Sequence, residues 1–184
     1  PINLYGASKL TSDKLFISGN YLKGFRDIKF SVVRYGNVLN SRGSLVPFLF
    51  KLKKDGTKLF PLTHSNMTRF WITLDQATNF VLNSFCIIKG GEIFVPKIPS
   101  IKIVNLMKAI EPQAKFKNIG IRPGEKIHEL MCPADSAFNT IEFKNFFVIS
   151  PSTIDKDQIL NIYSNYLGEK GKKVLEGFEY RSDT

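Results

Sequence analysis

A helical pattern that runs into a β-branched strand halting at Gly36-Asn37 restricts the fold of this chain more than any other feature. Leu10, Leu15, Ile17 and Tyr21, with the Lys14 stem among them, form an apolar stripe over residues 8–22, and Gly24 stops it. Phe30-Ser31-Val32-Val33-Arg34-Tyr35 then reads as a buried strand. A helix followed by a strand ending in a Gly-Asn loop is half of a βαβ unit. In open α/β sheets ligands gather outside the carboxyl ends of the strands, so Asn37 is placed to touch one.

The remaining pattern keeps alternating. Helices are predicted over residues 45–54, with Ser44 as cap, over 73–88, opened by the capping box Thr73-Leu74-Asp75-Gln76, and over 104–110 and 155–166. Extended pieces fall at 58–62, 68–73, 92–95 and 140–149, and Arg122-Pro123-Gly124-Glu125 reads as a tight loop with charged ends. The fold class is therefore α/β. A chain of 184 residues can bury one good core.

Composition removes several function classes. No apolar run approaches the ~20 residues that span a bilayer, and nothing resembles a signal peptide, so no membrane role is expected. Cys86 and Cys132 lie far apart without a Cys/His cluster. That spacing predicts neither a disulfide framework nor a metal site, and it fits a reducing cytoplasm. The net charge of +10 raises the question of nucleic acid. The lysines are spread evenly, however, with short clusters only at residues 51–54 and 170–173, so no nucleic-acid role is expected, and a surface that attracts anionic small molecules is compatible.

Chemistry enters at Tyr5-Gly6-Ala7-Ser8-Lys9, where a phenol and an ammonium sit four positions apart and share a helix face. A cation beside a phenol favours its ionised form, which suits proton exchange with a sugar or alcohol hydroxyl about to lose hydride. Arg34-Tyr35-Gly36-Asn37-Val38, Arg69-Phe70-Trp71-Ile72-Thr73-Leu74-Asp75 and Arg122-Pro123-Gly124-Glu125-Lys126 follow in order. Planar guanidinium groups match phosphate oxygens, so Arg69 and Arg122 from separate loops could hold a diphosphate between them.

These four ordered motifs resemble the extended short-chain dehydrogenase/reductases that act on nucleotide sugars. In detail the whole chain is similar to the inverting UDP-N-acetylglucosamine 4,6-dehydratases of the polysaccharide-biosynthesis branch. The resemblance implies the C-terminal part of a Rossmann-like NAD(P)-binding fold plus its smaller substrate-binding domain. Residues 1–40 would finish the Rossmann-like domain, and residues 41–184 would be mainly the substrate-binding region, interleaved with returning Rossmann elements. Tyr5 and Lys9 would be catalytic and, with Val38, would meet NADP. Asn37, Arg69, Arg122 and Glu125 would hold the sugar nucleotide, with Val46, Leu49 and Leu59 lining the uridine pocket. His64 and His128 match no catalytic position and are read as solvated or cap-like.

The reaction so implied oxidises the sugar at C4, removes water across C5 and C6, returns hydride to C6 and inverts C5. Tyr5 favours this inverting type, whose product would feed pseudaminic-acid-like sugars for flagellin or surface glycosylation. The family's glycine-rich fingerprint and an aspartate-lysine acid/base pair lie before the tyrosine motif. Roughly 130 residues are thus expected ahead of Pro1, and the segment alone is expected to be inactive. A homo-oligomer is implied as well. Two alternatives stand beside this reading: a UDP-sugar 4-epimerase of the same superfamily, and a noncatalytic basic binding module.

Overall fold

The computed structural model describes residues 1–151 and 154–184. Helix α1 (Leu4–Leu22) begins four residues earlier than the apolar stripe predicts, because Asn3 caps it: its side chain accepts a hydrogen bond from the Gly6 N–H at 2.7 Å. Tyr5 and Lys9 are therefore both inside the helix. The strand predicted at residues 30–35 is shorter, β1 (Val32–Val33), and past Gly36 the chain forms a further strand, β2 (Asn37–Val38). Helix α2 (Leu45–Lys54) has Ser44 at its N-cap position, but the hydroxyl makes no capping bond.

Strands β3 (Leu59–Leu62) and β4 (Thr68–Ile72) lead to helix α3 (Leu74–Ile87). There the predicted capping box forms in full, with Gln76 N–H donating to Thr73 Oγ1 at 3.1 Å and Thr73 N–H donating to Gln76 Oε1 at 3.0 Å. Strands β5 (Ile93–Pro96) and β6 (Ser100–Lys102), helix α4 (Ile103–Ile110) and strands β7 (Lys115–Asn118) and β8 (Leu130–Cys132) follow. The hairpin β9 (Thr140–Glu142) and β10 (Phe146–Ile149), helix α5 (Lys156–Leu167) and strands β11 (Lys172–Lys173) and β12 (Tyr180–Arg181) complete the order.

The main sheet runs β1-β5-β10-β9-β11, with β1 and β5 parallel and the others antiparallel. Strand alternation gives it two buried faces. Ile93, Val95, Phe147 and Ile149 face one core with Phe70, Met131 and Cys132, against which Ile17 of α1 packs. Phe94 and Val148 face the other with Ile141, Phe143, Ile159 and Tyr163. A second sheet, β2-β4-β6, lies beside a third core built from α2, β3 and α4. Strand β4 serves both regions, since Phe70 and Trp71 point to opposite sides.

One buried carboxylate ties the main sheet together. Glu92 is fully buried, and it accepts from Ser31 Oγ at 2.6 Å, Tyr163 Oη at 2.7 Å, Gly90 N–H at 2.8 Å and Lys89 N–H at 2.9 Å. Four donors are what a buried charge requires. Burial, reinforced by the Glu92 carboxylate, keeps the Tyr163 phenol protonated well past its usual range. On the other face burial pushes the Cys132 thiol up to about 12, with Arg34 opposing, so it packs as a neutral hydrophobe.

Candidate active site

Three polar ties hold α1 against the sheet. At its start Asn3 Nδ2 donates to the Gly124 carbonyl at 2.5 Å. In the middle Asp13 pairs with Arg34 Nε at 2.8 Å, and Arg34 Nη1 also reaches the Met131 carbonyl at 3.0 Å. Near its end Asn20 clamps Phe30, accepting from its N–H at 3.0 Å and donating to its carbonyl at 2.8 Å. Asp13, Ile17 and Asn20 share one face, which turns the rest of the helix outward. Tyr5 is 72% exposed, and Lys9 Nζ stands over its ring at 5.4 Å from the centroid. The two side chains thus share a helix face, as their spacing predicts.

The Asn3 tie brings the second motif to the first. In the turn at residues 122–125 Glu125 N–H donates to the Arg122 carbonyl at 3.0 Å, and Arg122 N–H donates to Glu125 Oε2 at 3.2 Å. Gly124 supplies the positive φ of 75° that the turn requires, and a Cβ there would lie 2.8 Å from Asn3 Cβ. Arg122 is exposed. The Glu125 carboxylate caps its own turn yet keeps its second oxygen for another donor.

Arg69 behaves differently from the open fork that the sequence suggests. Its Nη1 donates to the Thr68 and Ile127 carbonyls at 2.7 and 3.0 Å, and its Nη2 to the Lys126 carbonyl at 2.8 Å. Its Nε lies 3.5 Å from Glu129, and the side chain is only 12% exposed. Arg69 thus braces the segment behind the Arg122–Glu125 turn. Val46 and Leu49 are both buried in the third core with Phe60, Leu62 and Trp71, while Leu59 is 50% exposed. Helical periodicity cannot separate such roles, because core and pocket residues share it.

Asn37 is exposed and Val38 half-buried, on β2 beside Trp71 and Ile72 of β4. Gly36 permits that approach, since a Cβ would lie 2.7 Å from the Phe70 carbonyl oxygen. The Trp71 indole N–H is buried with no hydrogen-bond partner among the described residues. His64 accepts from Asn66 N–H at 3.1 Å, a cap-like role. His128 has more partners than its sequence context suggests. Its Nδ1 bonds Thr68 Oγ1 at 2.8 Å, Thr68 bonds Ser182 Oγ at 2.6 Å, and Nε2 lies 3.6 Å from Asp183. His128 and Thr68 are 60 positions apart and Thr68 and Ser182 are 114 apart, so the chain of contacts leaves no local signal.

An open cleft of about 620 Å³ beside Thr68 and His128 is lined also by Asn66, Lys102 and Asn105, and contains none of the expected site residues. Among the described residues no cluster of metal ligands occurs, and no helix is long and apolar enough to cross a membrane.

A helix presenting a Tyr/Lys pair, a parallel strand ending in Gly-Asn and an arginine turn docked at that helix define the C-terminal part of an extended short-chain dehydrogenase/reductase fold. The sequence pattern described as "Polysaccharide biosynthesis protein" matches residues 1–151, and the chain belongs to that family. It is 54% identical to the inverting UDP-N-acetylglucosamine 4,6-dehydratase of Campylobacter jejuni, over 100% of this chain and 55% of that protein. The UDP-glucose 4-epimerase of Rickettsia canadensis is 33% identical over 99% of this chain and 53% of its own length. This chain thus spans about half the length of these relatives.

Among solved structures, Pen from Bacillus thuringiensis superposes with a TM-score of 0.82 at 32% identity, covering 100% of this chain and 53% of that one. DesIV, the dTDP-glucose 4,6-dehydratase of Streptomyces venezuelae, superposes with a TM-score of 0.60 at 20% identity over 69% of this chain and 41% of its own, and supports the fold alone. The expected family and fold are both borne out.

Proposed function

We propose that this chain is the substrate-binding half of an inverting UDP-N-acetylglucosamine 4,6-dehydratase. The observation that carries the reading is the Asn3 bridge, which docks the Arg122–Glu125 turn at the first turn of the helix bearing Tyr5 and Lys9. A ligand gripped at one end of this surface is presented to the phenol at the other. The 54% identity to an enzyme of that name supports the choice of sugar nucleotide.

In this reading Arg122, with Arg69 behind it, grips the diphosphate, and Glu125 accepts from the ribose diol. Asn37 contacts the sugar nucleotide, and Leu59 touches the uridine. Tyr5 takes the proton from the hexose O4, and Lys9 steadies the charge left on its oxygen. Residues 1–40 belong to the nucleotide-binding layer and 41–184 mainly to the substrate region.

A nicotinamide cofactor fits the exposed Tyr5/Lys9 face and the neighbouring Val38. No glycine-rich turn is present to cradle its pyrophosphate, so that contact falls to the rest of the protein. DesIV was solved with NAD bound, and NADP is the form we propose here. When bound, the cofactor supplies a reversible hydride acceptor. A cytoplasmic setting, self-association and a product destined for pseudaminic-acid-like sugars complete the proposal.

A UDP titration of this chain by calorimetry tests the grip, and a 4-keto-6-deoxy product from the full-length protein tests the chemistry. Arg122→Ala should weaken UDP by about 1.5–3 kcal/mol, the size of a charge-assisted contact. Loss of UDP binding to the same extent on unrelated surface changes would defeat the assignment. The 33% identity to an epimerase favours a second reading, in which hydride returns to C4 and no water is lost. Recovery of a C4 epimer without a keto sugar would select it.

A further inference from the structure

The Asn3 side chain joins two pieces of chain that lie 121 positions apart. Its Oδ1 accepts the Gly6 N–H and so starts the helix that carries Tyr5. Its Nδ2 donates to the Gly124 carbonyl, between Arg122 and Glu125 in the turn. No slack remains in the contact. Gly124 stands at φ +75° with its missing Cβ only 2.8 Å from Asn3 Cβ, and a Cβ on Gly6 would lie 3.1 Å from Asn3 Oδ1. One primary amide therefore sets where the arginine turn stands relative to the phenol.

We infer that Asn3 is a positioning residue, fixing the span between the Arg122–Glu125 turn and the Tyr5 phenol so that a hexose on a nucleoside diphosphate of one length meets that phenol. This inference rests on the functional reading above. Asn3 touches neither sugar nor phosphate, and its influence is exerted through the two backbones it joins. A shift of about 1 Å between a gripped ligand and its reacting group can cost up to a hundredfold in rate. Free UDP carries no hexose to the phenol, so its binding does not depend on that span.

Two substitutions keep the cap and remove the bridge. Asn3→Asp and Asn3→Ser are both good N-caps, so α1 stays intact. The first replaces the donor with a second acceptor facing a carbonyl, and the second is too short to reach Gly124. In the full-length protein both variants should bind UDP within about twofold of wild type and unfold within about 3 °C. Their kcat on UDP-N-acetylglucosamine should fall about ten- to hundredfold, with KM little changed. Amide exchange at Glu125 should quicken in both, since the turn loses its anchor.

Unchanged kcat in both variants overturns the inference. So does a loss of kcat matched by equal losses of UDP affinity and melting temperature, because that pattern belongs to a purely structural residue. A wild-type protein that neither binds UDP nor turns the sugar over defeats the functional reading instead. The positioning claim is then decided by exchange alone, and unaltered exchange at Glu125 in both variants overturns it.

Discussion

Helices α1 and α5 pack on opposite faces of the same sheet, but none of the 19 residues of α1 is buried, whereas α5 seals Ile159 and Tyr163 completely. On α5 the burial is apolar, around Phe94, Ile141 and Phe143, with Glu92 fixing the Tyr163 hydroxyl. Helix α1 is aligned instead by Asn3, Asp13 and Asn20, and it leaves Leu4, Tyr5, Leu15, Phe16 and Leu22 mostly exposed. Burial supplies most of a helix's stability, while hydrogen bonds supply direction. A helix can thus be aimed by polar ties without being sealed.

The contrast breaks most readily at Glu92. Glu92→Ala strands four donors and should cost about 3 kcal/mol or more in chemical denaturation, loosening α5 and the sheet together. An effect below 1 kcal/mol would mean that water takes over the acceptor role.

Tyr163→Phe keeps the ring and removes the hydroxyl, for an expected loss of about 1–3 kcal/mol. It also changes the alkaline limb of stability. The folded phenol titrates above the unfolded one, so its contribution is present below pH ~10 and is lost as pH rises from there toward the folded value. Stability measured across that window should fall more steeply in wild type than in Tyr163→Phe.

Asn20→Ala removes the clamp on Phe30 and should cost about 1–2 kcal/mol, quickening amide exchange in α1 while α5 keeps its protection. Leu15→Ala should change stability by no more than about 0.5 kcal/mol, because that side chain is 66% exposed. A larger loss at Leu15 would show that the outer face of α1 is covered rather than solvated.

Local chemistry made much of this fold legible. The Thr73–Gln76 box, the Gly-terminated helices and the α/β alternation depend on neighbours in sequence, and they form as predicted. The Tyr5/Lys9 pair was legible because four residues make one helical turn. Long-range contacts were not. Glu92 reads as the start of a strand, yet Ser31 and Tyr163, 61 and 71 positions away, make it a hub. Arg69 could be read as a cation but not as a brace, since its partners at Lys126 and Ile127 appear only when the chain is folded. Val46 and Leu49 fit pocket and core equally well in sequence, and only the fold reveals how deeply both are buried.

The Thr68–Ser182 hydroxyl pair carries a consequence for biosynthesis. A ribosome adds roughly 5–20 residues per second, so β4 spends on the order of ten seconds in the nascent chain before its partner 114 positions later has been made. Through that interval the Thr68 hydroxyl must remain solvated or find a temporary companion. Docking of the tail is therefore set to be a late step in maturation, and a chain released early would leave this edge bare for chaperones to find.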